Sequence, residues 1–256
     1  MATFDNENIN YRLLEAFPGK DLSKALVKKI IRKYLVKVGK RDAGYERAVN
    51  YNGLLVFDKP ELHGEGMTIG QDYIRMLNVL GFTQVDRIFE FCSGPAYIGY
   101  SLLAHGFCKN LTLADINPEA IKCVRKTASY NNVEHLVNIY HSDIFESIPE
   151  TEKFDLVVSN PPHFPPEMKM GNTDLGEENL KAYDKDWDLH RKFYSQIKNY
   201  MQPGGYVVMQ ENTQGGMDVE TFREMVESGG GEIIDWIQSK DITGKSNPMY
   251  YIITKY

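Results

Sequence analysis

The chain has 256 residues, of which 42% are hydrophobic and 25% are charged, and its net charge is −6. These values are typical of a folded globular protein, and the length suits one large α/β domain with a small appendage rather than two full domains. There is no apolar run long enough to cross a bilayer and no start typical of a secretory signal, and the three cysteines match no disulfide framework or zinc pattern. We therefore expect a cytoplasmic protein with reduced cysteines and no metal site.

The predicted elements begin with helices. An N-cap at Asp21 and apolar residues at every fourth position predict an amphipathic helix over 21–39, and a shorter helix is expected around 8–16. We expect residues 1–66 to form a small helical region that binds substrate or acts as a lid. A hinge at 64–66 would join this region to a domain over 67–256.

Positive charge is concentrated in the same part of the chain. Residues 20–50 include ten basic and three acidic side chains, so this stretch carries +7 and the remainder of the chain carries −13. Such an asymmetry indicates either a surface that binds the phosphates of a nucleic acid or simply a solvated helix face.

From residue 67 onward, short apolar runs alternate with segments of helical period, which predicts a parallel sheet covered by helices. Seven strands are predicted: 87–92, 110–115, 136–140, 154–160, 205–211, 232–239 and 249–255. Five helices are predicted between them: 72–80, 97–105, 118–131, 188–201 and 219–228. The last two strands have no predicted helix between them, so the sheet should end in an antiparallel hairpin.

The first predicted strand leads into a turn of small residues around Gly94 and then into a helix. Such a turn lets a ligand approach the backbone N–H groups at the helix start, although an ordinary strand-to-helix turn has the same pattern. Acidic residues follow the next two strands. Asp115 can accept hydrogen bonds from both hydroxyls of a ribose or can cap the helix that starts at Pro118. Asp143 follows the third strand and is expected at the same sheet edge, where the amino group of an adenine would lie, although an Asp after a strand is commonly just a turn residue.

The fourth strand runs into Asn160-Pro161-Pro162-His163-Phe164. Two prolines restrict the backbone, so the Asn160 side chain and the Pro161 carbonyl can point into one cavity. Two acceptors placed in this way can hold the N–H groups of a planar amine or amide and turn its lone pair toward an electrophilic carbon. A stiff turn without chemistry is the alternative.

Together, in this order, the four motifs resemble the class I S-adenosylmethionine-dependent methyltransferases over residues 67–256, with residues 90–99 as motif I and residues 160–163 as motif IV of that family. The segment 68–72 resembles the stretch that precedes motif I in the Asn-Pro-Pro group of the same family. This group includes protein glutamine, adenine amino and ribosomal RNA guanine amino methyltransferases. The resemblance implies a Rossmann-like α/β fold with a seven-stranded, mostly parallel sheet, S-adenosylmethionine as cofactor, S-adenosylhomocysteine as product, and methyl transfer to nitrogen by direct displacement.

The resemblance also implies roles for individual residues. Asn160 and Pro161 would align the acceptor nitrogen, and His163 would contact the substrate or remove a proton. The residues expected to bind the cofactor are Gln71, Glu90, Cys92, Gly94, Ala96, Asp115, Ile116, Asn117, Asp143, Ile144 and Asn160. The residues expected to bind the substrate are Pro162, His163, Phe164, Tyr183 and Trp187.

The chain departs from the family at three positions. Cys92 and Ala96 stand where motif I usually has glycines, and His163 stands where the Asn-Pro-Pro group usually has an aromatic ring. Imidazole can stack on a planar group, but it can also titrate near neutral pH. In the helix that follows, His190 and Tyr194 either face the site or pack in the core.

Three hypotheses remain for the role of the chain. We favour a peptide, protein or small-molecule nitrogen as the acceptor, because the stretch 164–187 beside the site carries −3 and would repel phosphates. The alternatives are a base amine of RNA or DNA held by residues 20–50, and a non-catalytic scaffold that only binds the cofactor.

Overall fold

A computed structural model describes residues 47–59, 62, 69–164, 182–216, 218–244 and 247–256. The described part begins with an antiparallel hairpin of β1 (Arg47–Tyr51) and β2 (Leu54–Asp58). Its turn is Asn52-Gly53, and both residues have positive φ, as a two-residue hairpin turn of type I′ requires. These strands correct the prediction that the region 1–66 is helical at this end. The helix predicted over 21–39 and the hinge at 64–66 lie outside the described residues.

The rest of the chain alternates strands and helices as the apolar pattern predicted. The strands are β3 (Val85–Phe91), β4 (Cys108–Asp115), β5 (Val137–His141), β6 (Phe154–Ser159), β7 (Met201–Asn212), β8 (Glu232–Gln238) and β9 (Met249–Lys255). The helices are α1 (Ile69–Val79), α2 (Tyr97–Ala104), α3 (Pro118–Tyr130), α4 (Asp188–Ile197), α5 (Glu220–Ser228) and α6 (Ser239–Thr243). The short α6 was not predicted between β8 and β9, and it ends at Gly244, whose φ of 68° is the usual left-handed helix stop.

The seven main strands form one sheet in the order β5-β4-β3-β6-β7-β9-β8. The first five of these are parallel, whereas β9 pairs antiparallel with both β7 and β8. This arrangement confirms the predicted fold class. The chain order reverses between β3 and β6, and in open α/β sheets ligands bind at the carboxyl ends of the strands at this point.

The sheet is covered on both faces. Ile88, Val158 and Val208 point to the face that carries α1, α2, α3 and the hairpin. Phe89 and Val157 point to the opposite face, which carries α4 and α5. On that face Phe91 stacks on Phe193 of α4, with ring centroids 4.2 Å apart. Burial on both sides explains why central strands such as β6 are nearly continuous apolar runs, whereas the edge strands β5 and β8 are more exposed.

The hairpin lies alongside α3, where side chains satisfy the free edge of β2. The Phe57 amide donates to Thr127 Oγ1 (3.0 Å), and Leu55 exchanges two hydrogen bonds with the side-chain amide of Asn131. Beyond β2, the Leu62 carbonyl oxygen lies 3.2 Å from the position that a Cβ on Gly94 would occupy. The hairpin therefore brings the following segment onto the turn after β3. None of the helices in the described ranges has the length and apolar character needed to cross a membrane.

Candidate active site

The turn after β3 joins that strand to α2 through several residues with left-handed backbone. Cys92, Gly94 and Ala96 have φ values of 50°, 50° and 61°. Such φ values favour glycine, because a Cβ in this conformation costs about 1–2 kcal/mol. The structure thereby explains why glycine is usual at the positions of Cys92 and Ala96, and it shows that this chain keeps the turn without it.

Glu90, near the end of β3, supports this turn through a side-chain hydrogen bond with the start of α2. Its side chain is buried, and its Oε2 atom accepts a hydrogen bond of 2.7 Å from the Gly99 amide in the first turn of α2. Burial raises the pKa of Glu90 to about 8, against the effect of hydrogen bonds from the Gly99 and Ile98 amides, which lower it. A Cβ on Gly99 would lie 2.6 Å from Glu90 Oε2. Glu90 therefore holds the start of α2 against the sheet.

Asp115 ties the turn to the end of β4. Its Oδ2 atom accepts from the Gly94 amide (2.7 Å), and its Oδ1 atom accepts from the Asn117 amide (2.8 Å). Burial raises the pKa of Asp115, and these two amides lower it. The helix cap of α3 is Asn117, whose side chain accepts from the Glu119 amide. The alternative role of Asp115 as the cap of α3 is therefore wrong.

The other residues expected near the cofactor lie along the same sheet edge. Ile116 is 58% exposed, and its carbonyl hydrogen-bonds with His141 Nε2 (2.8 Å). Asp143 and Ile144 follow β5. The amide of Ser142, which precedes them, donates a hydrogen bond to the Asp115 carbonyl (3.0 Å). An exposed apolar side chain next in sequence to the carboxylate of Asp115 suits a ligand with an aromatic base and polar substituents.

Helix α1 connects this region with the end of β6. Gln71 is buried in the first turn of α1. A Cβ on its neighbour Gly70 would lie 2.5 Å from the Tyr97 carbonyl oxygen, so this turn packs closely against the start of α2. The Tyr73 hydroxyl donates to the carbonyls of Ser159 (2.6 Å) and Val208 (3.1 Å). Gln71 is thus placed near the start of α2, and the end of β6 is anchored by hydrogen bonds.

The segment 160–164 leaves β6 at this anchored point. Ser159 Oγ donates to the Phe91 carbonyl (2.6 Å), so the ends of β6 and β3 lie side by side. Pro161 and Pro162 are buried. The Oδ1 atom of Asn160 and the Nδ1 atom of His163 are also buried, and neither has a hydrogen-bond partner among the described residues. An unpartnered buried polar atom costs about 1–3 kcal/mol, so such atoms are candidates for contact with a ligand.

His163 is neutral at physiological pH in this arrangement. Burial and the nearby charge of His190 lower its pKa to about 3, and the Pro161 carbonyl acts in the opposite direction. The imidazole meets the Phe164 ring edge to face, with centroids 4.7 Å apart. A base with this pKa binds a proton weakly at neutral pH, which favours the role of contact residue over that of proton acceptor.

Two other segments hold residues 163 and 164 in place. The amides of His163 (3.2 Å) and Phe164 (2.9 Å) donate to the Ala182 carbonyl, and the Asp184 amide donates to the Phe164 carbonyl (2.9 Å). On the other side, a Cβ on Gly215 would lie 1.8 Å from the His163 carbonyl oxygen. The backbone of motif IV is therefore confined between residues 182–184 and Gly215.

A buried group of three ionisable side chains lies next to this segment. His190 Nδ1 is 2.6 Å from Asp184 Oδ2, and His190 Nε2 is 2.9 Å from Glu211 Oε1. Burial alone would lower the pKa of His190, but the Glu211 and Asp184 carboxylates raise it to about 9. Of the three, only His190 had been considered from the sequence. A glutamate at the end of the apolar strand 205–211 was the available signal for Glu211.

The remaining predicted substrate residues flank the same group. Tyr183 forms an isolated parallel bridge with Phe164. The Trp187 ring packs edge to face against His190 (5.4 Å) and Phe222 (5.0 Å). The structure thus places Phe164 beside Tyr183 and Trp187 beside His190, and it adds Asp184 and Glu211 to the predicted residues.

Residues 74–175 match a family model described as the methyltransferase small domain. A protein of Methanocaldococcus jannaschii, named as a protein N5-glutamine methyltransferase, is 27% identical over 175 residues, which cover 65% of this chain and 82% of that protein. The release factor glutamine methyltransferase of Borreliella burgdorferi is 29% identical over 128 residues, covering 48% of this chain and 44% of that enzyme. The chain spans about half the length of the release factor enzymes that it matches.

Solved methyltransferases share the fold. A methyltransferase from Pyrococcus furiosus has a TM-score of 0.55 at 14% identity, covering 90% of this chain and 97% of that one. A 16S rRNA methyltransferase from Thermus thermophilus, solved with AdoMet and guanosine, has a TM-score of 0.54 at 13% identity, covering 81% of this chain and 49% of that one.

Proposed function

We propose that this chain, which belongs to the class I S-adenosylmethionine-dependent methyltransferases with an Asn-Pro-Pro motif, methylates the side-chain amide nitrogen of a glutamine in a protein. The two relatives named above act, by their names, on protein glutamine, and in one of them the protein is a release factor. The observation that carries the proposal is the buried Asn160 Oδ1 atom, which has no partner among the described residues and is suited to accept an amide N–H.

The residues at the sheet edge fit S-adenosylmethionine. We assign Asp115 to the ribose hydroxyls, the exposed Ile116 to one face of the adenine, and Asp143 to the adenine amino group. The left-handed turn from Cys92 to Ala96 would let the rest of the cofactor approach the backbone closely. When bound, the cofactor supplies an electrophilic methyl group on a sulfonium, and the protein contributes orientation and electrostatics.

The chemistry of this chain lies in how it holds the acceptor. An amide nitrogen is a weak nucleophile because its lone pair is conjugated with the carbonyl. Asn160 Oδ1 and the Pro161 carbonyl would accept the two N–H groups of a glutamine amide and so hold the nitrogen with its lone pair toward the methyl group. Neutral His163 would contact the amide plane. After methyl transfer the amide nitrogen carries a positive charge, and such an N-protonated amide is a strong acid, so its proton passes to water without a strong base.

Several expectations from the sequence belong to this proposal as well. We assign residues 1–66 to binding of the protein acceptor and residues 67–256 to the catalytic domain. Phe164, Tyr183 and Trp187 would line the acceptor side, and a release factor as acceptor would place the reaction in the cytoplasm. Residues 20–50, which carry +7, favour a second candidate, the amine of an RNA base.

The test is a methylation assay with S-adenosylmethionine that carries a deuterated methyl group. The full-length protein is incubated with a purified translation release factor and, in parallel, with total RNA from the same cells. We expect peptide mass spectrometry to place the label on a glutamine of the release factor, and we expect none with the Asn160→Ala variant. Label in a nucleoside and none in protein would overturn the proposal in favour of the RNA candidate.

A further inference from the structure

The buried group Asp184, His190 and Glu211, which we call the ionic triad, connects three parts of the chain. Asp184 precedes α4, His190 is in its first turn, and Glu211 is near the end of β7. All three are buried, with exposures of 4%, 0% and 0%. Besides His190 Nδ1, the Asp184 carboxylate accepts the amides of Leu189 (2.9 Å) and His190 (3.2 Å). The triad thus fixes α4 relative to the segment before it and to the sheet.

The triad also reaches the backbone of motif IV. The Ala182 carbonyl accepts hydrogen bonds from the amides of His163 and Phe164. The Asp184 amide in turn donates a hydrogen bond to the Phe164 carbonyl. Glu211 is two residues beyond Met209, which pairs with Ser159 at the end of β6. The chain therefore forms a closed loop of contacts, from β6 through motif IV and Asp184 to His190 and Glu211, and back to the neighbouring strand.

The chemistry of the triad favours positioning over simple stabilisation. Apolar side chains of similar size often stabilise a buried site as well as an ionic group does, and they need no partners. Glu211 Oε2 is buried without a hydrogen-bond partner in the described part of the chain. In addition, Asp186 and Trp187 are consecutive non-glycine residues with φ of 55° and 58°. Strained backbone of this kind persists where surrounding contacts hold it, and it clusters at functional sites.

We propose that Asp184, His190 and Glu211 are positioning residues that set the location of His163 and Phe164, and thereby the acceptor side of the site, without contributing to cofactor binding. The inference rests on the proposed function for the identity of the acceptor. The positioning itself acts on residues of this chain and is measurable without any acceptor.

The test compares Glu211→Ala, which removes the link from His190 to β7, with Glu211→Gln, which keeps a hydrogen-bond acceptor of the same size. Amide hydrogen exchange is followed in the full-length protein with S-adenosylhomocysteine added. We expect the His163 and Phe164 amides to exchange about tenfold faster in Glu211→Ala and close to the wild-type rate in Glu211→Gln. The Gly94 and Gly99 amides, which are bonded to Asp115 and Glu90, should exchange as in the wild type.

Two further variants in the same exchange measurement separate positioning from a general loss of stability. Glu220→Ala removes an exposed carboxylate paired with Arg223 and should leave all four amides unchanged. His190→Gln breaks the triad at its centre and serves where Glu211→Ala does not fold. Equal acceleration at all four amides, or no acceleration at His163 and Phe164, would overturn the proposal.

Activity distinguishes this inference from the proposed function. With a release factor as acceptor, Glu211→Ala should lower kcat about tenfold with little change in the Kd for S-adenosylmethionine, and Glu211→Gln should restore most of it. If the wild-type protein labels no protein, the proposed function fails while the exchange result still stands. If the wild type labels protein and the exchange rates do not respond, the positioning role fails alone.

Discussion

The two halves of the site are built differently. In the cofactor half (residues 90–117 and 141–144), the carboxyl groups of Glu90 and Asp115 accept hydrogen bonds from backbone amides within the same half. In the acceptor half (residues 159–164, 182–190 and 211–215), charged side chains pair with each other, and Asn160 Oδ1 and His163 Nδ1 have no partners in the described ranges. The buried carboxyl groups of the cofactor half are therefore held by backbone amides, whereas those of the acceptor half are held by a buried imidazole. Substitutions should separate cofactor binding from turnover along this division.

The largest difference between the loss of turnover and the loss of cofactor affinity is expected for Asn160→Ala. Loss of one preorganised polar contact to a reacting group typically lowers kcat about 10²–10³-fold. The backbone around residue 160 is held by Tyr73 and Ser159, so the cofactor half should remain intact. Steady-state methylation and calorimetry with S-adenosylhomocysteine measure the two effects. An equal loss of turnover and cofactor affinity would mean that Asn160 mainly contacts the cofactor.

The next effect is steric and comes from Gly215→Ala. The new Cβ would lie 1.8 Å from the His163 carbonyl oxygen, so the backbone of motif IV must move. A displacement of about 1 Å at a reacting group can lower the rate about 100-fold. Gly81→Ala is the control, because its φ of 73° strains the backbone while no atom lies within 4 Å of the new Cβ. If both variants lose activity in proportion to their melting temperatures, the positional argument fails.

Asp115→Asn tests the cofactor half, because it should change cofactor affinity and leave turnover unchanged, the reverse of Asn160→Ala. The neutral amide keeps one acceptor for the Gly94 or Asn117 amide but loses the charge that strengthens hydrogen bonds to a ribose. We expect the Kd for S-adenosylmethionine to rise about tenfold, and kcat at saturating cofactor to stay near the wild-type value. Unchanged affinity, measured by calorimetry, would show that Asp115 serves only the protein backbone.

Glu90 makes the stability of the cofactor half sensitive to pH. Its pKa is raised to about 8 in the folded state, so the folded protein holds a proton that the unfolded chain releases above its ordinary pKa near 4.5. Stability therefore falls as pH rises from 4.5 to 8, by about 2 kcal/mol between pH 6.5 and 8. His190, with its pKa raised to about 9, acts in the same direction above pH 6.5.

The variant Glu90→Gln has no proton to lose and should reduce the slope of this dependence by about half in thermal melts between pH 6.5 and 8, leaving the part that comes from His190. The exposed Glu134→Gln serves as a control that should melt like the wild type at every pH. A wild-type slope that persists in Glu90→Gln would assign the dependence to His190 or to other groups.

The two halves also differ in how well the sequence predicts them. Asp115 and Gly94 stand at the ends of consecutive strands, so local patterns locate both and the parallel sheet brings them together. Asp184 and Glu211 meet only through His190 and are separated from motif IV by a long stretch of chain, and no local pattern encodes that contact. Likewise, the cap of α3 is Asn117 instead of Asp115, a distinction that depends on side-chain geometry.

The smallest effect is expected for Ala96→Gly in the cofactor half. Glycine removes about 1–2 kcal/mol of strain from the left-handed backbone. However, it raises the conformational entropy of the unfolded chain and leaves a cavity where a methyl group was buried, and these two effects together cost about the same. The free energy of unfolding should therefore change by less than about 1 kcal/mol. Ala120→Gly is the matched control, since Ala120 is equally buried but lies in the ordinary helix α3, where no strain is relieved. It should cost about 1–2 kcal/mol in chemical denaturation, and an equal cost at both positions would show that the turn holds Ala96 without strain.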